Sequence, residues 1–239
     1  MQERTFGGLR VHLAGGTDRE GGGDGPLVVL MHGFGAPGTD LVGLWRVLDV
    51  PREVRFAFPE APNEIREMPG ARAWWMLDLV RAEAAMAEGP RNYADEVPEG
   101  MQDATDRVVA MLDELREALS VPEDQLVVGG FSQGSMVACN TVFTRSVQAA
   151  GLVILSGTPV DLRTWREGMK SRRGLPVLQT HGEQDPLLSF DAARELRAVM
   201  SEAELEVDWI PFRGGHEIPL PVLEGLSRFV RETVFGAFA

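Results

Sequence analysis

The sequence predicts an α/β fold, a mostly parallel, doubly wound sheet with helices on both faces. Continuous apolar runs of strand length recur along the chain, as expected for strands buried on both sides. Helical patterns separate most of them, and no low-complexity stretch interrupts the alternation. The 239 residues are 44% hydrophobic, enough to fill one large core, so the chain reads as one domain over 1–239.

The elements follow in order. Gly15–Gly25 is glycine-rich and punctuated by charge, hence a loop. Pro26–Met31 is the first buried strand, and similar runs lie at Arg55–Phe58, Leu126–Gly130, Leu152–Leu155, Val177–Thr180 and Val207–Phe212. Met101–Leu119 carries Val108, Val109, Leu112 and Leu115 at helical spacing, and Phe190–Met200 and Pro221–Phe235 show comparable faces. Ser135–Thr144 reads as a further helix. The roughly forty residues between Phe58 and Met101 are too many for an ordinary connection. This insertion, about 61–100, holds Trp74-Trp75-Met76-Leu77 and a weak helical pattern over Leu77–Ala87, and it is expected to serve as a lid or an acyl-binding loop.

The net charge is -13. Such a surface repels nucleic-acid phosphates and anionic bilayers, which excludes nucleic acid as an expected partner. No run approaches membrane-spanning length and Met1–Gly8 has no apolar leader segment; with the single cysteine, Cys139, ruling out an intrachain disulfide, the expectation is a cytoplasmic protein. A metal is not expected, because no His or Cys cluster has ligand spacing. A homodimer is compatible with everything above.

The chemistry centres on Gly130-Phe131-Ser132-Gln133-Gly134. Among 27 glycines a bare G-x-S-x-G says little, but here an apolar strand leads in and a helix leads out. That is the setting of a nucleophilic serine on a sharp strand-to-helix turn, with glycines where side chains would collide. The bland alternative is a tight turn with Ser132 capping the helix. A serine nucleophile needs a base, and the base needs an orienting carboxylate. In α/β-hydrolases they follow in the order serine, acid, histidine. His216, on a loop after the last strand, fits the base; Asp185 fits the acid, with Glu183 and then Asp191 as fallbacks. His181 competes with His216, but it and His12 are expected to be structural.

A tetrahedral intermediate needs backbone donors for its oxyanion. The N–H of Gln133 is one candidate, and the N–H of Phe34 in His32-Gly33-Phe34-Gly35 is the other, with His32 supporting the loop. Trp74, Trp75 and Leu187 are the expected substrate contacts, against the alternative that the tryptophans are plain core. Cys139 is expected to be buried and unreactive.

These residues resemble the phospholipase/carboxylesterase family of α/β-hydrolases, which includes acyl-protein thioesterases and bacterial carboxylesterases. The resemblance lies in Leu30-Met31-His32-Gly33-Phe34-Gly35, Phe58-Pro59-Glu60-Ala61-Pro62, Arg72-Ala73-Trp74-Trp75, Gly130 to Ser135, His181 to Pro186, and Gly215-His216. It implies an α/β-hydrolase fold, a Ser132–Asp185–His216 triad, an oxyanion hole from Phe34 and Gln133, and no cofactor. The insertion is longer than in compact eukaryotic thioesterases. The expected activity is hydrolysis of small-molecule esters with short to medium acyl chains. Thioester or lysophospholipid hydrolysis on longer chains is the alternative, and a non-catalytic binder is the third.

Overall fold

The computed structural model describes residues 1–77 and 89–236. Its main sheet has eight strands: β1 (Gln2–Phe6), β2 (Leu9–Gly15), β3 (Leu27–Met31), β4 (Arg55–Pro59), β7 (Leu126–Phe131), β8 (Gly151–Leu155), β9 (Pro176–Gly182) and β10 (Glu206–Phe212). They lie in the order β1-β2-β4-β3-β7-β8-β9-β10. The pairs β1–β2 and β2–β4 are antiparallel, and every other neighbouring pair is parallel. Two short strands, β5 (Asn63–Glu64) and β6 (Arg72–Ala73), form a separate hairpin.

The central strands are buried along their whole length because helices cover both faces. On one face, Val29 and Met31 of β3 pack with α2 (Met101–Leu119), α3 (Gln133–Thr144), α4 (Leu162–Met169) and α5 (Phe190–Glu202). Val28 and Leu30 point the other way, as the two-residue period of a strand requires, toward Leu41, Val42 and α6 (Leu220–Phe235). A one-turn helix, α1 (Leu44–Val47), borders that second face. The result is the α/β-hydrolase fold.

Two strands lie outside the apolar runs. β1 exposes four of its five residues, and β2 holds His12, so neither reads as a buried strand from sequence. They extend the sheet beyond β4 at its edge. Most of the predicted Leu77–Ala87 helix falls on residues 78–88, outside the described residues. Among the described residues, no helix is long and apolar enough to cross a membrane, and no group of three His, Cys, Asp or Glu side chains is placed to hold a metal ion.

Candidate active site

β7 ends at Phe131 and α3 starts at Gln133, which leaves Ser132 alone to reverse the chain. Its φ of 53° and ψ of -123° lie outside the region that side-chain-bearing residues favour. The neighbouring structure holds it there. Ser132 N–H donates to Leu155 O at 2.8 Å, while its carbonyl accepts from Ser135 N–H, Met136 N–H and the Ser135 hydroxyl. The flanking glycines are required by close approach. A Cβ on Gly130 would stand 2.5 Å from Met31 O, and one on Gly134 would stand 2.0 Å from the same oxygen. The G-x-S-x-G spacing is thus what lets the turn lie against the end of β3.

His216 follows β10 in the loop before α6, at the same end of the sheet. Its ring packs on Phe131, the residue before Ser132, with centroids 4.7 Å apart. Nδ1 of His216 donates to Asp185 Oδ2 at 2.6 Å, a short charge-assisted bond. Asp185 Oδ1 accepts from the N–H groups of Leu187 and Leu188 at 2.8 and 3.0 Å. Burial alone would raise the Asp185 pKa, but the His216 bond and these two amides outweigh it and hold the carboxyl below its usual value. Of the competing acids, Glu183 and Asp191 are both exposed, and Asp191 pairs with Arg194. Among the described residues, Ser132 Oγ forms no hydrogen bond; contacts of this kind commonly tighten only when substrate is bound.

Opposite the elbow, Gly33 brings the β3 loop so near that a Cβ on it would lie 3.2 Å from that of Ser132. Among the described residues, neither Phe34 N–H nor Gln133 N–H is used by another group. His32 fixes this loop. Its Nε2 accepts from Ala61 N–H at 3.0 Å, which places its proton on Nδ1, and that nitrogen donates to Gly33 O at 2.8 Å. Burial lowers the His32 pKa and keeps the ring neutral.

Two supports here have no simple signature in the sequence. Arg72 donates to Glu60 and to Ala61 O, while its backbone pairs with Gly35 and Ala36 of the loop. Glu60 in turn accepts from His12 at 2.8 Å, which accounts for that buried histidine. The Gln133 side chain also binds the insertion: Oε1 accepts from Trp74 N–H and Nε2 donates to Trp75 O, each at 2.9 Å. The hint in the sequence is that Gly35, Glu60, Ala61, Arg72, Trp74, Trp75 and Gln133 lie in the blocks that carry the family resemblance, whereas His12 and Ala36 lie outside them.

A narrow cleft leads away from Ser132. Phe34, Trp75, Leu77, Tyr93, Met136 and Leu188 line it, so its walls are mainly apolar. Of the expected substrate contacts, Trp75 faces the cleft, whereas Trp74 and Leu187 do not line it. Trp74 is turned into the core, where its indole N–H donates to His32 O at 2.9 Å. Leu188 takes the wall position next to Leu187 because the turn at Asp185 sets which of the two faces inward. Residues Arg91 to Glu96 strap across one side, held by main-chain bonds. Arg91 exchanges bonds with Leu187 O and Ser189 N–H, Glu96 O accepts from Asp161 N–H, and Ala94 O accepts from Leu162 N–H. Cys139 is buried in α3, and burial pushes its thiol pKa up, so it is no nucleophile.

Residues 21–234 match the family model described as Phospholipase/Carboxylesterase. Acyl-protein thioesterase 1 of Yarrowia lipolytica is 27% identical over 220 residues, covering 86% of this chain and 92% of that protein. A probable carboxylesterase of Oryza sativa subsp. japonica is 26% identical over 213 residues, covering 86% and 87%. Among solved structures, esterase PE8 superposes with a TM-score of 0.77 at 24% identity, covering 94% of this chain and 99% of that one. The Bacillus cereus carboxylesterase superposes with a TM-score of 0.68 at 17% identity, covering 94% of each chain. At these identities the two structures establish the fold.

Proposed function

The chain belongs to the phospholipase/carboxylesterase family, and from that premise we propose that it cleaves carboxylic esters of short to medium acyl chains through an acyl-enzyme on Ser132. It is a hydrolase of ester or thioester bonds. The observation that carries the finer reading is the 2.6 Å His216–Asp185 bond beside a strained serine at the head of an apolar cleft.

In this reading His216 Nε2 takes the Ser132 proton as Oγ attacks the acyl carbon. Asp185 holds the imidazole in the required tautomer and stabilises the imidazolium that forms. The carbonyl oxygen becomes an oxyanion and accepts from Phe34 N–H and Gln133 N–H, each such donor contributing about 3–4 kcal/mol to the transition state. The imidazolium then protonates the departing alkoxide. A water molecule enters, loses its proton to His216 and attacks the acyl carbon, and the imidazolium returns that proton to Ser132 Oγ as the carboxylic acid leaves. The helix α3 starts at the nucleophile, so its N-terminal dipole favours the same developing charge.

The cleft supports a small acyl group, because the space it encloses, about 50 Å³, is well below that of drug-sized sites. One observation favours the second reading, hydrolysis of longer acyl thioesters or lysophospholipids. Met76 and Val97 are 47% and 60% exposed next to cleft-lining Trp75, Leu77 and Pro98, so the mouth continues as an apolar rim. Values of kcat/KM on p-nitrophenyl esters from acetate to laurate, with Ser132→Ala as baseline, separate the two. Each methylene that the cleft buries adds up to about 0.8 kcal/mol, or roughly fourfold. A maximum at butyrate or hexanoate supports the short-chain reading, and a rise through laurate supports the other. Turnover independent of Ser132 would sink both.

A further inference from the structure

We propose that His181 is a positioning residue for the Asp185–His216 pair, holding the carboxylate and the adjoining cleft wall in a single arrangement; this rests on the reading of the site given above. His181 lies in β9, four residues before Asp185, and its side chain is fully buried. Its Nε2 lies 3.1 Å from Leu188 O and 3.5 Å from Asp185 Oδ2, the same oxygen that accepts from His216. Thus one ring nitrogen faces both ends of the Asp185–Leu188 turn. The bond to Leu188 O closes that turn from beneath, while Asp185 Oδ1 closes it from within through Leu187 and Leu188 N–H. Leu188 lines the cleft, so the same imidazole spans the acid and the wall that meets the acyl group.

The charge state fits a holder. Burial pushes the His181 pKa below that of an ordinary imidazole, as does His216 more weakly, against the opposing pull of the Leu188 carbonyl, Asp185 and the Gly157 backbone. The ring is therefore neutral near pH 7. Its one proton belongs on Nε2, where the carbonyl accepts it, and among the described residues Nδ1 has no hydrogen-bond partner. A neutral N–H directed at Leu188 O with the carboxylate alongside fixes where Oδ2 sits without competing for the proton of His216. Phe190 packs on the ring, with centroids 6.1 Å apart, and limits its rotation.

The test pairs His181→Leu, which deletes the donor, with His181→Gln, which keeps a donor near the Nε2 position. The readouts are the proton resonance of His216 Nδ1–H, which a short bond to a carboxylate carries far downfield, and kcat and KM measured separately on a p-nitrophenyl ester. The expected result for His181→Leu is a resonance moved upfield or lost and kcat reduced about 10–100-fold, with KM raised by a smaller factor as the Leu188 wall loosens. His181→Gln should restore both. If His181→Leu does not fold, His181→Asn, whose amide is too short to reach Leu188 O, is compared with His181→Gln, and only the asparagine variant should lose the resonance. A resonance unchanged in the donor-free variants, or an effect confined to KM, overturns the proposal. The resonance needs no turnover, so a failure of the Ser132→Ala baseline, which would sink the functional reading, is seen separately.

Discussion

Gly134 lies so close to Met31 that a Cβ on the glycine would stand 2.0 Å from the Met31 carbonyl oxygen, which fixes the start of α3 against the end of β3. Gly134→Ala must push these two elements apart or fail to fold. A loss of about 3 kcal/mol or more in urea unfolding is expected. Gly43→Ala is the control: nothing lies within 4 Å of its Cβ position and its φ is -59°, so a gain of about 0.4–1 kcal/mol is expected instead.

Ser132→Ala should lower kcat/KM on a short-chain ester by about 10³-fold or more, with the melting temperature unchanged or raised. The stability change follows from the backbone. At φ 53° Ser132 carries strain that alanine keeps, while the hydroxyl itself makes no hydrogen bond among the described residues. Activity within tenfold of the parent would refute the assignment of the nucleophile.

Asp185→Asn tests both catalysis and the pH dependence of stability. An amide cannot hold His216 in the same tautomer, so kcat should fall about 10²–10⁴-fold. The folded-state pKa of Asp185 is depressed, so its charge stabilises the fold above the unfolded carboxylate value of about 3.9. That contribution is lost as pH falls through the lower folded value. Thermal melts between about pH 5 and 2 should therefore slope less steeply in the variant than in the parent.

Gln133→Leu keeps the backbone N–H assigned to the oxyanion hole and removes the side-chain amide. Trp74 N–H and Trp75 O then lose their partner inside the core. A destabilisation of about 2–4 kcal/mol is expected in urea unfolding. Discrimination between acetate and hexanoate esters should weaken, because Trp75 is a wall of the cleft. Full stability with unchanged discrimination would show that this clamp has no such role.

The parts of the molecule legible in the sequence are those where one physical constraint dominates. The strands β3, β7 and β8 show as unbroken apolar runs because helices bury both their faces, and Met101–Leu119 is helical over the residues its pattern marks. β1 escaped because its edge position leaves four of its five residues exposed, and β2, buried at six of its seven residues, escaped because Arg10 and His12 interrupt its apolar run. The eight-residue α4 is too short for a periodic pattern to stand out, despite buried Leu162, Trp165 and Met169. Within the site, Asp185 and His216 could be picked out by chain order and do meet. Trp74 and Trp75 could not be told apart, because adjacent residues in an extended segment face opposite ways and only the packing decides which side is the cleft.

The strap from Arg91 to Glu96 is tied down through its main chain, to Leu187, Ser189, Asp161 and Leu162. Any side chain compatible with an extended backbone preserves those ties. Tyr93, which lines the cleft, can therefore be exchanged for a larger or smaller residue without loosening the anchorage or touching Ser132, Asp185 or His216. Anchorage and fit are encoded by different atoms of the same few residues. The width of the cleft is thus free to drift in evolution, or to be reset in the laboratory, while the side chains beside it stay constant.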